Sequence, residues 1–221
     1  LFRSKARGVP AEKLVFWPQF CDEPDFTNAE KPEIYSDDDF KIVFAGNIGE
    51  AQGLDLLLET ADRLKDCSDI KFYIVGDGRA RKRLEETAKA NGLQNVFFLG
   101  KVSVDAADRY IHFADCAYLS FKDNAVFNMT IPAKLQSYMA CGTPILAAAG
   151  GESAEIIKKA DCGFISTRNS AELSEIIKQI ICSRDKIAEM RKNAYEFYNR
   201  NFKKENTVDY LENIMSNFVS G

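Results

Sequence analysis

A chain of 221 residues, 46% hydrophobic and 28% charged, carries enough apolar material for one sizeable core and has the composition of a globular domain. Its net charge of −4 speaks against broad nucleic-acid binding, which depends on neutralising phosphates. No apolar run approaches the about 18 residues of a membrane span, there is no signal peptide, and the absence of an initial methionine reads as part of something longer. The six cysteines (Cys21, Cys67, Cys116, Cys141, Cys162, Cys182) are scattered, with no C-x-x-C pair and one histidine in the chain. They read as reduced, mostly buried thiols of a cytoplasmic protein rather than a disulfide framework or a zinc site.

In chain order, Asp37-Asp38-Asp39 is a solvated turn before a short buried strand at 41–45. Residues 54–64 place Leu54, Leu57, Leu58, Ala61 and Leu64 on one helical stripe. A strand at 70–75 follows, then a helix at 79–90 stopped by Asn91-Gly92. The basic cluster Arg79, Arg81, Lys82, Arg83 reads as that helix's solvated face, since Glu85 and Glu86 come next. A strand at 96–99, a helix at 104–113 and a strand at 116–120 continue the alternation. After a helix ending at Gly142 come strands at 145–148 and 163–165 and helices at 153–160 and 171–181. From 183 onward two helices break near 201–204, with an aromatic stripe that includes Tyr195, Phe197, Tyr198, Phe202 and Tyr210. Such alternation predicts an α/β fold: a Rossmann-like parallel sheet with helices on both faces, plus C-terminal helices. Ligands on such sheets bind at the carboxyl ends of the strands, where Gly46, Gly76, Gly100 and Ser120 fall.

Two segments carry chemistry. Gly46-Asn47-Ile48-Gly49 leaves a strand and precedes a helix, so its backbone N–H groups suit either a phosphate or a tight turn. Residues 130–147 read as a helix opened by Thr130 and Pro132, closed by Gly142, and followed by a strand. Lys134 lies in the first turn, where exposed N–H groups and partial positive charge favour an anion; a packed helix with a snorkelling lysine is the plainer reading. No G-x-G-x-x-G or Walker-type spacing is present. His112 reads as a boundary residue, Glu152 and Glu155 as acids at a helix start, and Asp123-Asn124 as a polar loop. Trp17 and Phe20 read as interdomain packing.

The segment Thr130-Ile131-Pro132-Ala133-Lys134-Leu135-Gln136-Ser137-Tyr138-Met139-Ala140-Cys141-Gly142-Thr143-Pro144 resembles the "P-S-K-L-x-E-Y-M-A-x-G-x-P-V" stretch of family 4 (group 1) glycosyltransferases of the bacterial surface-polysaccharide type. Residues 14–26, 44–55, 72–78 and 96–102 follow that family's order. The resemblance implies one half of a GT-B enzyme, with residues 1–221 forming the donor-nucleotide domain. Within it, 1–26 would be the interdomain connection with a strand leading into the domain, 183–221 the C-terminal helices, and the N-terminal acceptor domain would lie elsewhere. It implies retaining transfer of a hexosyl or N-acetylhexosaminyl group from a UDP-linked sugar to a polysaccharide or lipid-linked acceptor in capsule, O-antigen or exopolysaccharide assembly. No cofactor or metal is implied, because basic side chains and helix N-termini stabilise the leaving diphosphate. Gly46, Asn47, Ile48, Gly49 and Gln52 would face the phosphates, and Lys101 and Val102 would flank the base. Thr130, Pro132, Lys134, Leu135 and Ser137 would meet the diphosphate and sugar. No catalytic residue is assigned, since the family's bases come from the other domain. Contact with the inner face of the cell membrane would run through that domain too.

The chain departs from the family at four positions. Asn47 and Gln52 stand where an arginine and a lysine are common, and Met129 and Ser137 where two glutamates are. Lys134 acting as the main cation, or decay to a non-catalytic nucleotide-binding module, both follow from this. A Rossmann-type oxidoreductase, with Asp77 holding a ribose, is a further alternative.

Overall fold

The structure, a computed structural model, describes residues 7–219, with side chains to residue 216. The first six residues of the expected interdomain connection and the last two of the expected C-terminal helices lie outside the described residues. Six strands form one parallel sheet: β1 (Phe40–Ala45), β2 (Ile70–Val75), β3 (Val96–Gly100), β4 (Cys116–Ser120), β5 (Ile145–Ala148) and β6 (Gly163–Ile165), in the order β3-β2-β1-β4-β5-β6. Helices α1 (Asp55–Arg63), α2 (Arg81–Ala90), α3 (Val104–His112), α4 (Ala125–Asn128), α5 (Ala133–Ala140), α6 (Gly151–Ala160), α7 (Ser170–Ile181), α8 (Arg184–Asn201) and α9 (Lys204–Val219) surround it.

The strands read as unbroken apolar runs because both faces of the sheet are covered. Alternation splits each strand between two cores. Phe40, Ile42 and Phe44 of β1 pack with Leu57 and Leu58 of α1, Leu84 of α2 and Leu173 and Ile177 of α7. Val43 and Ala45 face the other way, toward Ile111 of α3, Leu135 and Tyr138 of α5, Ile157 of α6 and Tyr198 of α8. The expected α/β parallel architecture is therefore present, with helices on both faces.

Differences lie at the element ends. Pro132 caps α5 from an extended conformation (φ −76°, ψ 143°) instead of occupying its first turn. Helix α6 starts two residues earlier than expected, at Gly151, which takes φ +63° close against the backbone of Asn128. The four-residue α4 and a 3-10 turn at Glu50–Gln52 had no periodic signal in the sequence. The strand expected within 1–26 is a single bridge, Cys21 to Lys203. That segment is held by the C-terminal helices: Tyr198 Oη donates to the Cys21 carbonyl at 2.9 Å, and Trp17 Nε1 to the Thr207 carbonyl at 2.8 Å. Of the aromatic stripe, Tyr198 and Phe202 are buried, while Tyr195 and Tyr210 are exposed.

Arg191 of α8 fixes the spacing of α3 and α5. Its buried guanidinium donates to the carbonyls of His112 (2.9 Å), Gly142 (3.3 Å) and Ala114, at the C-terminal ends of those helices. A cation suits helix C-termini, whose carbonyls lack intrahelical partners.

At the carboxyl ends of β1 and β2 the backbones of Gly46 and Gly76 cross. Gly76 has φ +130°, and a Cβ there would overlap the Gly46 carbonyl oxygen. Gly76→Ala is expected to cost about 2–4 kcal/mol of stability through strain and overlap at a rigid crossing. Urea unfolding checks this; a change within about 0.5 kcal/mol, typical of a neutral surface substitution, contradicts the close crossing.

Candidate functional site: a nucleotide-sized cleft around Lys134

The strand order reverses between β1 and β4, and ligands on open α/β sheets settle beside such switch points. A cleft of 520 Å³ opens there, floored by Ala45, Gly46, Asn47, Val75, Gly76 and Asp77 at the ends of β1 and β2. One wall is Lys101, Val102 and Ser103 after β3 together with the inward face of α3; the other is α5, through Ala133, Lys134, Ser137 and Tyr138.

Lys134 reaches back from the first turn of α5 over the loop after β1. A Cβ at Gly46 (φ +135°) would lie 2.6 Å from the Lys134 Cε, so glycine there makes room for the lysine's chain. The ammonium donates to Gln52 Oε1 and stands 4.2 Å from the centre of the Phe44 ring, a cation–π arrangement. Among the described residues no carboxylate pairs with it. Burial alone pulls its pKa from 10.5 down to about 7. One turn further on, the Tyr138 hydroxyl accepts from the Ala45 N–H at 3.1 Å and lies 3.3 Å from the Ala45 carbonyl. The lysine's helix and the glycine loop are thereby tied together. Ala133 and Lys134 also bring to the cleft backbone N–H groups of the first helical turn, which have no intrahelical acceptor.

The structure brings six of the expected residues to the cleft: Gly46, Asn47, Lys101, Val102, Lys134 and Ser137. Gln52 contributes through its bond to Lys134. The remaining five line other surroundings. Ile48 is buried in the core, and its N–H is taken by the Asp77 carbonyl at 2.8 Å. Leu135 faces the core, and its N–H bonds the Pro132 carbonyl at 3.0 Å. Gly49 caps the 3-10 turn, Pro132 caps α5, and Thr130 donates its hydroxyl to the Val126 carbonyl at 2.7 Å.

Other candidates take structural roles. His112 stacks on Phe26 (4.0 Å between ring centres), with Nδ1 2.9 Å from the Cys141 carbonyl oxygen. Asp123 pairs with Arg168 at 3.4 Å, and Asn124 caps α4. Met129 is 59% exposed and does not line the cleft. All six cysteines are unpaired, and no group of three or more metal-ligating side chains occurs among the described residues.

Sequence reasoning missed the contribution of α3. Val104, Ala107, Asp108 and Ile111 all line the cleft, and their spacing marks one helical face. Asp108 stands out as an acid on that otherwise apolar stripe. Burial, with help from Asp105, raises its pKa to about 6. The spacing was legible; the inward acid on it was the signal.

Residues 25–197 match the family model described as "Glycosyl transferases group 1". A putative colanic acid biosynthesis glycosyl transferase, WcaI, of Escherichia coli K12 is 34% identical over 144 residues, covering 62% of this chain and 35% of that protein. A 2-deoxystreptamine N-acetyl-D-glucosaminyltransferase of Niallia circulans is 27% identical over 152 residues, 67% of this chain and 37% of that protein. Among solved structures, Anabaena HepE in complex with UDP aligns with TM-score 0.69 at 21% identity, over 83% of this chain and 50% of that one. The C-terminal domain of a Francisella tularensis group 1 glycosyl transferase, LpcC, aligns with TM-score 0.61 at 22% identity, over 75% of this chain and 87% of that domain. At such identities the structural likeness speaks for the fold. The chain spans 35% to 47% of the length of the first three curated relatives it matches. The family model covers well over half of the sequence, and the chain belongs to the group 1 glycosyltransferases.

Proposed function

We propose that this chain is the donor-binding half of a retaining glycosyltransferase, and that the cleft takes the diphosphate of a sugar nucleotide. The carrying observation is Lys134: a half-buried lysine over a glycine floor with no acidic partner among the described residues, at the start of a helix. An uncompensated buried cation costs stability, and a diphosphate anion repays that cost by pairing with it. The same contacts strengthen as negative charge builds on the departing diphosphate, so they stabilise the leaving group without a metal. Lys101, Val102 and Val104 form the wall against which the base lies. UDP as the nucleotide is supported by HepE, which aligns over 83% of this chain and is seen in complex with UDP.

The acceptor side, a second domain carrying any general base, belongs to sequence outside this chain, as the relatives' greater length suggests. The chain alone then binds nucleotide and transfers nothing. A polysaccharide or lipid-linked acceptor, a hexosyl or N-acetylhexosaminyl donor, and a place at the inner face of a bacterial membrane belong to the same reading, supported by the colanic acid relative. Among the described residues no helix is long and apolar enough to cross a membrane. Met129 and Ser137, standing where the family commonly has glutamates, favour a second reading: a module that binds nucleotide without catalysing transfer. Turnover by the full-length protein separates the two.

Calorimetric titration tests the proposal. UDP is expected to bind with or without magnesium, and Lys134→Ala to weaken it about 10- to 100-fold, the loss of one or two charge-assisted hydrogen bonds. Since the free lysine titrates near 7, binding at pH 8 is expected to take up close to one proton, seen as a dependence of the binding enthalpy on the buffer's ionisation enthalpy. Unchanged affinity in Lys134→Ala contradicts the role given to the lysine.

The depressed pKa also fixes the sign of a stability effect. Between about pH 7 and the ordinary lysine value the unfolded chain holds a proton that the folded chain lacks, so this group makes stability rise with pH across that window. Lys134→Met is expected to raise the melting temperature at pH 7 by about 2–4 °C, a gain of about 1 kcal/mol for a chain of this size, and to lack that rise with pH. Thermal denaturation at pH 6.5 and 9 reads both; a fall in melting temperature contradicts the burial of an unpaired cation.

A further inference from the structure

Several lysines of this fold answer to a carboxylate: Lys41 lies 3.3 Å from Asp115, Lys122 3.3 Å from Glu50, and Lys203 2.5 Å from Glu23. Lys134 differs. Its hydrogen bond goes to the neutral amide oxygen of Gln52, and its ammonium stands 4.2 Å from the centre of the Phe44 ring. Among the described residues no carboxylate reaches it. The side chain is half-buried, yet it lines an open cleft of 520 Å³. A neutral acceptor and an aromatic face hold the amine without the ion pair that keeps other lysines protonated, and burial lowers its pKa to about 7. Near neutral pH a large share of Lys134 is therefore free amine, whose lone pair makes it a nucleophile.

The surroundings of that amine select what reaches it. Lys134 lies in the first turn of α5, whose start carries no side-chain cap, and the positive end of a helix favours an anion beside the lysine. Acyl phosphates join a phosphate directly to an electrophilic carbonyl carbon, with one bridging oxygen between them. An acyl phosphate whose phosphate is drawn to Lys134 thus brings its carbonyl carbon to the same amine. In a thioester carried on a nucleotide, the carbonyl lies many bonds from the nearest phosphate, and the same seating does not deliver it.

We propose that Lys134 is a modification site, acylated by an acyl phosphate drawn into the cleft, and that this acylation switches off anion binding there. The Nζ lone pair attacks the carbonyl carbon and a C–N bond forms. The bond from that carbon to the bridging oxygen breaks, and inorganic phosphate leaves with the electron pair and takes up the proton from nitrogen. Nothing is oxidised or reduced. The product is a neutral amide, so the cleft loses the cation on which its anion affinity depends. The inference rests on the anion-binding reading of the cleft and adds its regulation: nucleotide and acyl phosphate compete for one lysine.

The test follows acetylation of the wild-type chain by acetyl phosphate at pH 8, reading each lysine over time by peptide mass spectrometry. Lys134 is expected to react about tenfold or more faster than the exposed Lys101 on the facing wall, through its larger share of free amine. That advantage is expected to vanish in urea, where the chain is unfolded, and inorganic phosphate and UDP are each expected to slow Lys134 while leaving Lys101 unchanged. The chain acetylated at Lys134 is expected to bind UDP about tenfold or more weaker by calorimetry, the loss of a charge-assisted contact. A rate at Lys134 no greater than at Lys101, a rate that inorganic phosphate leaves unchanged, or unaltered UDP affinity after acetylation overturns the proposal; the nucleotide reading stands where UDP still binds. If Lys134 reacts fast and inorganic phosphate slows it, but UDP neither binds nor protects, the nucleotide reading falls and phosphate-directed acylation stands.

Discussion

The ammonium of Lys134 is held in the cleft by the Gln52 side-chain oxygen and by the face of Phe44, with no carboxylate beside it among the described residues. A lysine so placed costs the folded state free energy, and the protein limits that cost by letting the group approach neutrality near pH 7. An acid at position 47 or 52 would have quenched it. Asn47 and Gln52 are neutral, so the charge remains available to an anion. On the proposed reading, the departures from the family pattern in the first loop shift the cationic role onto one side chain.

Several packing features depend on keeping that side chain in place. Gly46 clears the path for the lysine's methylenes, and Tyr138 binds the backbone of Ala45 immediately before it. Gly76 lets the second floor loop cross under the first. On the far side, Arg191 clamps the ends of α3 and α5. The two cleft walls are therefore set by a residue of α8, which itself lines no part of the cleft. A buried guanidinium bonded to backbone carbonyls gives fixed directions that an apolar contact would not.

The sheet and its helices were legible because the central strands are buried apolar runs, the edge strands are half-buried ones, and most helices carry a clean stripe; residues 54–64 and 70–75 gave their elements to within a residue at each end. Helix starts were less legible. Pro132 precedes its helix in an extended conformation, and Gly151 opens its helix with φ +63° against the backbone of Asn128, a contact that no local pattern reports. The glycine loop and Lys134 were found as a candidate site, yet Ile48 and Leu135 were drawn in by adjacency although their side chains face the core. Motif reading selects a segment; the pitch of the strand or helix selects which of its side chains reach the cleft. Asp108 was missed for the opposite reason. It lies in no phosphate-binding pattern and is brought to the cleft by the sheet order, which places the connection after β3 opposite α5.

The central claim is that Lys134 is a half-buried cation, without an acidic partner among the described residues, awaiting an anion. Observing its Cε and Nζ resonances by NMR across pH 5–11, without and with UDP, tests that most directly, the assignment being made with Lys134→Met. The account predicts a midpoint near 7 in the free chain and a clear upward displacement once nucleotide is bound. A free-state midpoint at the ordinary lysine value, unmoved by UDP, would contradict it.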